Sequence, residues 1–285
     1  MQLVLRAGQS ADATPCGQIC YQAFKVIAEQ HHFTPDFPTP AIAIDLMNYL
    51  LSDSSIYSVV AEVDGQVAGS NFLWEGTAIA GVGPITVDPA LQNASIGKKL
   101  MEKVLARVEE RGLAGVRLCQ AAYHNRSLSL YTKLGFDVKE PLSVIQGPAL
   151  NLRFPEYKVR PANEADADAC HELCQQVHGH DRRQELLNAI RMQTAFVVEH
   201  TGRITGYTTQ VGFFGHTVAE TNHELKALIG AAPVFSGPGF LLPSRNSEVL
   251  RWCLQHQLRV VQPMSLMTKG LYNEPAGAFL PSVLY

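Results

Sequence analysis

Apolar residues recur at helical spacing in some stretches of the chain and alternate with polar ones in others, and these two periods divide it into elements. Cys16, Ile19, Cys20, Ala23, Phe24 and Ile27 fall on one helical stripe, and Cys170, Leu173, Cys174 and Val177 on another. VVAEVDGQVAGS (59–70) and FVVEHTGRITGY (196–207) each read as strand, Gly-bearing turn and strand. The β-branched run before Pro89 leads into an amphipathic helix marked by Leu100, Val104, Leu105 and Val108.

These patterns occur twice. LRAGQSADATPCGQIC (5–20) aligns without a gap onto VRPANEADADACHELC (159–174), the two hairpins follow in the same order, and GPITVDP (83–89) pairs with GPGFLLP (237–243). Three segments in one order indicate a duplicated domain. Gly147, Pro148 and Pro155 interrupt the join, so the expected domains are residues 1–150 and 151–285. Each copy reads as strand, one or two helices, hairpin, strand, helix, strand, an α+β plan with a mixed sheet. The first copy carries an extra segment, HHFTPDFPTP (31–40), and a loop, LQNASIGKKL, for which the second copy has little room.

The segment ITVDPALQNASIGKK is where an anion would sit. The first N–H groups of a helix lack intrahelical partners and carry the positive end of its dipole. Gly97 lets that backbone be approached closely, and Lys98 and Lys99 add charge. Upstream, Gly81, Gly83 and Pro84 break a strand-like run where an extended ligand could take free backbone groups.

Val-Asp-Pro followed by Gln92 and Gly97 and then a helix resembles the acetyl-CoA loop of the GNAT acyltransferase superfamily, whose usual form is Gln/Arg-x-x-Gly-x-Gly/Ala. Ser95 stands where that family usually has Gly, and a Cβ disfavours the positive φ that Gly permits. HNRSLSLYTKLGF (124–136) resembles a second family segment. The resemblance implies two tandem GNAT-like domains, each a mixed, mostly antiparallel sheet flanked by helices, the second degenerate and without the pyrophosphate loop. It also implies acetyl-CoA as acyl donor, held by Ile85, Thr86 and Val87 on the broken strand, by Gln92, Asn93, Ala94, Ser95, Ile96, Gly97, Lys98 and Lys99, and by Asn125.

By the same resemblance Tyr131 is the catalytic hydrogen-bond donor to the leaving thiolate; its other reading is a packed aromatic on the stripe Leu128, Tyr131, Leu134. Asn125 is otherwise a helix cap. Glu75 and His124 are candidates for the general base, with solvated surface positions as the alternative, and His31 and His32 for the acceptor pocket, with an exposed loop as theirs. Glu62, before a hairpin turn, reads as structural. The expected activity is acetyl transfer to a small-molecule or peptide amine, with a non-catalytic acyl-CoA sensor as the alternative.

Composition narrows the surroundings. Twenty-three Lys and Arg against 26 Asp and Glu leave a net charge of −3 and no basic tract for nucleic acid. No apolar run approaches a membrane span and the first residues lack a signal pattern, so a soluble cytoplasmic protein is expected. Cys16, Cys20, Cys170 and Cys174 read as small core residues, and neither a disulfide framework nor a metal ligand set is expected of the six cysteines.

Overall fold

The computed structural model describes residues 2–76, 78–92 and 94–284. The elements run β1 (Leu3–Ala7), α1 (Ala13–Gln30), α2 (Pro40–Ser52), β2 (Ile56–Val63), β3 (Gln66–Trp74), β4 (Ile79–Val82), β5 (Thr86–Val87), α3 (Ile96–Glu110), β6 (Gly115–Ala121), α4 (Asn125–Lys133) and β7 (Asp137–Gln146). They continue as β8 (Lys158–Pro161), α5 (Ala167–His178), α6 (Arg183–Arg191), β9 (Phe196–His200), β10 (Arg203–Thr208), β11 (Thr217–Ala219), α7 (Asn222–Ala231), β12 (Phe240–Pro243), α8 (Ser247–Gln255), β13 (Arg259–Gly270) and β14 (Ala278–Leu280). Among the described residues no helix is long and apolar enough to cross a membrane.

Two compact units form. The first comprises residues 2–137 with Met267–Leu271 and Leu284, and the second Val138–Leu266 with Tyr272–Val283. The chain therefore divides between Asp137 and Val138 and not at 150. Because strand pairing is not confined to sequence neighbours, β7 lies beside β12 in the second unit (Phe240↔Ile145 to Pro243↔Leu142), while the end of β13 lies beyond β6 in the first.

In the first unit β1, β2, β3 and β4 pair antiparallel in that order, and β4 then pairs parallel with β6. One apolar cluster lies under α3 and α4, with Leu100, Met101, Val104, Tyr131 and Phe136; a second joins α1 and α2 through Cys16, Cys20, Met47 and Phe72. Cys16 and Cys20 are fully buried free thiols, and burial pushes Cys16 up to about 11, as expected of core positions.

The second unit repeats the element order, down to its ion pairs. Arg6 on β1 forks onto Asp12 (2.7 and 2.8 Å) and Glu62 (2.8 Å), and Arg160 on β8 forks onto Asp166 (2.7 and 2.8 Å) and Glu199 (2.6 Å). Glu62 is structural, as its place before the turn indicated. The pairing of GPITVDP with GPGFLLP is corrected by the element order. β12 leads into α8, which follows it as α4 follows β6, so the counterpart of α3 is α7 and not α8.

Candidate functional site

The site is built where β4 and β6 part. Their parallel register runs only from Ile79↔Gly115 to Gly81↔Arg117. Phe72 still accepts from the Gly83 N–H, and Ser70 faces Thr86, so Pro84 and Ile85 together oppose Asn71 alone. This is a β-bulge, and it turns β5 back onto β3 while β6 runs on. The Gly and Pro signals in the sequence marked this break. Gly69 permits the return, since a Cβ there would meet the Thr86 carbonyl at 2.5 Å.

The bulge sets which groups face outward. Asp88 donates its N–H to the Ala68 carbonyl at 2.9 Å. Bonded pairs alternate along an antiparallel ladder, so the Thr86 groups face β3 and the Val87 N–H and C=O point away from it. Of the three strand residues expected to act, Val87 presents its backbone, Thr86 is buried, and the Ile85 side chain packs on the core.

The loop after β5 delivers α3 with its amino end open. Asp88 caps a short 3-10 turn at Pro89–Leu91 by accepting from Ala90. Ala94 packs on the core, Asn93 lies outside the described residues, and Gln92 accepts from Arg126 at 2.9 Å. Ser95 is the N-cap residue of α3 at φ 60°, ψ 13°, and its side chain caps nothing. Ile96 is buried and anchors the turn, whose first helical bond runs from the Lys99 N–H to the Ser95 carbonyl.

No acidic side chain enters the first turn of α3, so the amides of Ile96, Gly97 and Lys98 keep their partial positive charge. Lys98 and Lys99 are exposed beside them, Lys98 within 3.5 Å of Glu102. A Cβ on Gly97 would meet only Val87 and Leu130 side chains at 3.7 and 3.8 Å. Neither internal packing nor backbone conformation requires Gly there, which leaves approach from outside as the use of its bareness.

α4 carries the next two expected residues. Tyr131 is buried beside Phe136, and burial alone holds its phenol well above the usual range, so the hydroxyl stays protonated. Tyr131 is thus a packed ring on the apolar stripe that keeps its proton. The cap of α4 is His124, whose Nδ1 accepts from the Ser127 N–H at 3.3 Å, and not Asn125. Asn125 is the first helical residue and lines a cleft.

That cleft, about 230 Å³, lies between the last turn of α1 and the start of α4 and brings together His31, Gln92, His124, Asn125 and Arg126. His32 does not line it, and Glu75 is elsewhere: its carboxylate is held by Arg107 and by Arg111 at 3.3 Å, so it is an ion-pair partner and no free base. Arg126 and the ring of Tyr123, stacked on Phe33 at 4.3 Å, were not anticipated; the position of Arg126 beside the motif Asn was the available signal. Gln120 was also missed. It is 5% exposed on β6 beyond the parting, its Oε1 accepts from Ser127, and its Nε2 is a buried donor without a partner.

In the second unit the equivalent places are filled. Only Glu220 and Thr221 separate β11 from α7, and Thr221 with Glu224 closes a capping box over the first amides of that helix. β14 takes the free edge of β11, Thr217↔Leu280 to Ala219↔Ala278. The sequence placed the shortened connection before α8, whereas the short connection in the structure precedes α7.

Residues 21–136 match the acetyltransferase (GNAT) family. No curated protein matches in sequence. Among solved structures, a proposed acetyltransferase from Pyrococcus horikoshii is similar over 96% of this chain and 91% of its own, with 15% identity and a TM-score of 0.73. A GCN5-related N-acetyltransferase from Sphaerobacter thermophilus is similar over 95% and 96%, with 16% identity and a TM-score of 0.62. A tandem GNAT protein from the clavulanic acid biosynthesis pathway is similar over 94% and 98%, with 12% identity and a TM-score of 0.59. The shared feature is the fold, a mixed sheet flanked by helices in each of two tandem domains.

Proposed function

We propose that the chain, whose residues 21–136 match the acetyltransferase (GNAT) family, moves an acetyl group from acetyl-CoA to an amine, in its first unit alone. The observation that carries this reading is the contrast between two helix starts. α3 begins with uncapped amides, a bare Gly97 and two lysines, whereas α7 begins under its own carboxylate. A pyrophosphate suits the first and is repelled by the second. Lys98, Lys99 and the amides of 96–98 would hold it, with Gln92, Asn125 and the Gln120 amide along the pantetheine.

Bound there, acetyl-CoA supplies an activated acetyl group. The outward Val87 N–H would donate to its carbonyl oxygen, where negative charge grows as the amine attacks. Tyr131 would donate to the departing sulfur. Full proton transfer from a phenol whose acidity burial has weakened is uphill against a thiol near pKa 8.5, so its part is a hydrogen bond.

Calorimetric titration of acetyl-CoA into the intact chain tests the reading. One site per chain is expected, abolished by Gly97→Asp, followed by acetylation when amines are offered. Two sites, or none in a folded sample, would overturn it. Binding without turnover of any amine would leave an acyl-CoA sensor instead.

A further inference from the structure

A β-bulge leaves ladder groups without their usual partners, and each needs another partner when it is buried. Phe72 and Gly83 stand opposite each other at the edge of the bulge in the first unit, where an antiparallel pair would exchange two bonds. One of the two forms, from the Gly83 N–H to the Phe72 carbonyl at 3.0 Å. The Phe72 N–H goes instead to Asn71 Oδ1 at 2.9 Å, and the Gly83 carbonyl accepts from Trp74 Nε1 at 3.2 Å. The two groups that would close the ladder on each other are thus each held by a side chain. Asn71 is also tied to α3: it is fully buried, and its Nδ2 lies 3.4 Å from the Leu100 carbonyl and 3.4 Å from Met101 Sδ.

The second unit has the same place without a bulge. The aligned hairpins put Thr208 at the position of Asn71 and Thr209 at that of Phe72. There β10 and β11 keep one register from Gly206↔Ala219 to Thr208↔Thr217, and the Thr209 N–H continues it to the His216 carbonyl at 2.9 Å. With Thr at this place the ladder closes; with Asn71 and Trp74 on its two ends it stays open. If the ladder of the first unit closed in the same way, β5 would slip by one residue along β3. Such a slip exchanges the bonding sides of alternate residues. Val87 would then stand opposite Ala68 with its N–H turned into the ladder, where Asp88 now stands.

We infer that Asn71 and Trp74 are positioning residues for acetyl transfer: they hold the bulge open and so keep the Val87 N–H aimed at the thioester carbonyl. The inference rests on the acetyltransferase reading. Each side chain acts through the register of β5 and needs no contact with the acetyl group. The start of α3 is set by the buried Ile96 and by its own first turn, so the amides of 96–98 keep their place whatever the aim of Val87. Holding acetyl-CoA and polarising its carbonyl are therefore separable.

The test is infrared spectroscopy of acetyl-CoA, labelled with ¹³C at the acetyl carbonyl, bound to the intact chain. A hydrogen bond from Val87 should lower the thioester carbonyl frequency from its value in free solution. Asn71→Leu, which fills similar space and offers no hydrogen bond, should bind acetyl-CoA with unchanged affinity by calorimetry and lose most of that shift. Trp74→Phe keeps a ring and removes the Nε1–H; it should lose part of the shift, and it decides the matter if Asn71→Leu does not fold. Val108→Ala, a cavity in the α3 core away from the bulge, should keep the full shift, which separates lost aim from lowered stability. The full shift in folded Asn71→Leu or in Trp74→Phe would overturn the inference, as would an equal loss in Val108→Ala or a loss of affinity that accompanies the loss of shift. If the wild type binds no acetyl-CoA, or binds it with the carbonyl frequency of free solution, the acetyltransferase reading with Val87 as donor fails, and the inference with it.

Discussion

Ser95 holds a backbone shape that L side chains adopt at a cost, and it does so without forming a capping bond. Ser95→Gly is expected to raise stability by about 1 kcal/mol, read as a shift in the denaturant midpoint of the first unit. No shift, or a loss, would mean that the serine hydroxyl supports the turn. Tyr131→Phe removes a single donor from a packed ring; loss of a hydrogen bond to a developing anion, about 2 kcal/mol, predicts a roughly 30-fold lower kcat with acetyl-CoA affinity unchanged. Equal kcat in both proteins would return Tyr131 to a packing role. Both positions were legible in the sequence, one as a departure from a Gly pattern and one on an apolar stripe. The cap that His124 forms on α4 was not, because it depends on which N–H the ring meets after folding.

At the scale of elements, the Arg fork shared by β1 and β8 lay in the aligned repeat, since Arg6 and Arg160, Asp12 and Asp166 hold the same places in it. The capping box of α7 was legible too, as Thr221 and Glu224 three residues apart. The pairing of β5 with β12 misled because both strands end near Pro and lead to a helix, a pattern that does not say which helix follows.

The polar interior of the second unit gave no periodic signal. His216 on the loop into β11 is 1% exposed, with Nε2 3.0 Å from the Tyr207 hydroxyl and Nδ1 3.1 Å from Glu185, which Arg182 also holds. Burial and Arg182 lower this imidazole to about 4. The unfolded chain thus takes up a proton near the ordinary value of about 6.5 that the folded one refuses, so stability falls as pH drops through that window. Between pH 7.5 and 4.5 the wild type is expected to lose about 2–3 kcal/mol more than His216→Gln, measured by urea unfolding at each pH. Parallel losses would remove His216 from the acid sensitivity.

On the scale of the whole chain, the duplication could be read from sequence, but the allocation of its last strands could not, because register and partner are settled by edges that form only on folding. The first unit depends on residues 267–271. Met267 is fully buried in its core, Lys269 donates to the Leu134 carbonyl at 3.0 Å, and the Leu271 N–H donates to Ala114 at 2.9 Å. Gly115 admits that backbone, since a Cβ would stand 2.7 Å from the Leu271 carbonyl oxygen. A fragment ending at residue 150 keeps every expected cofactor and catalytic residue yet loses this strand. It exposes the edge of β6 and forgoes the burial of Met267, about 1.5–3 kcal/mol before the ladder bonds are counted. The fragment is expected to show no cooperative thermal transition and to bind no acetyl-CoA, where the full chain is expected to melt cooperatively and to bind it. A fragment that melts cooperatively and binds would show that the first unit stands without the far end of the chain.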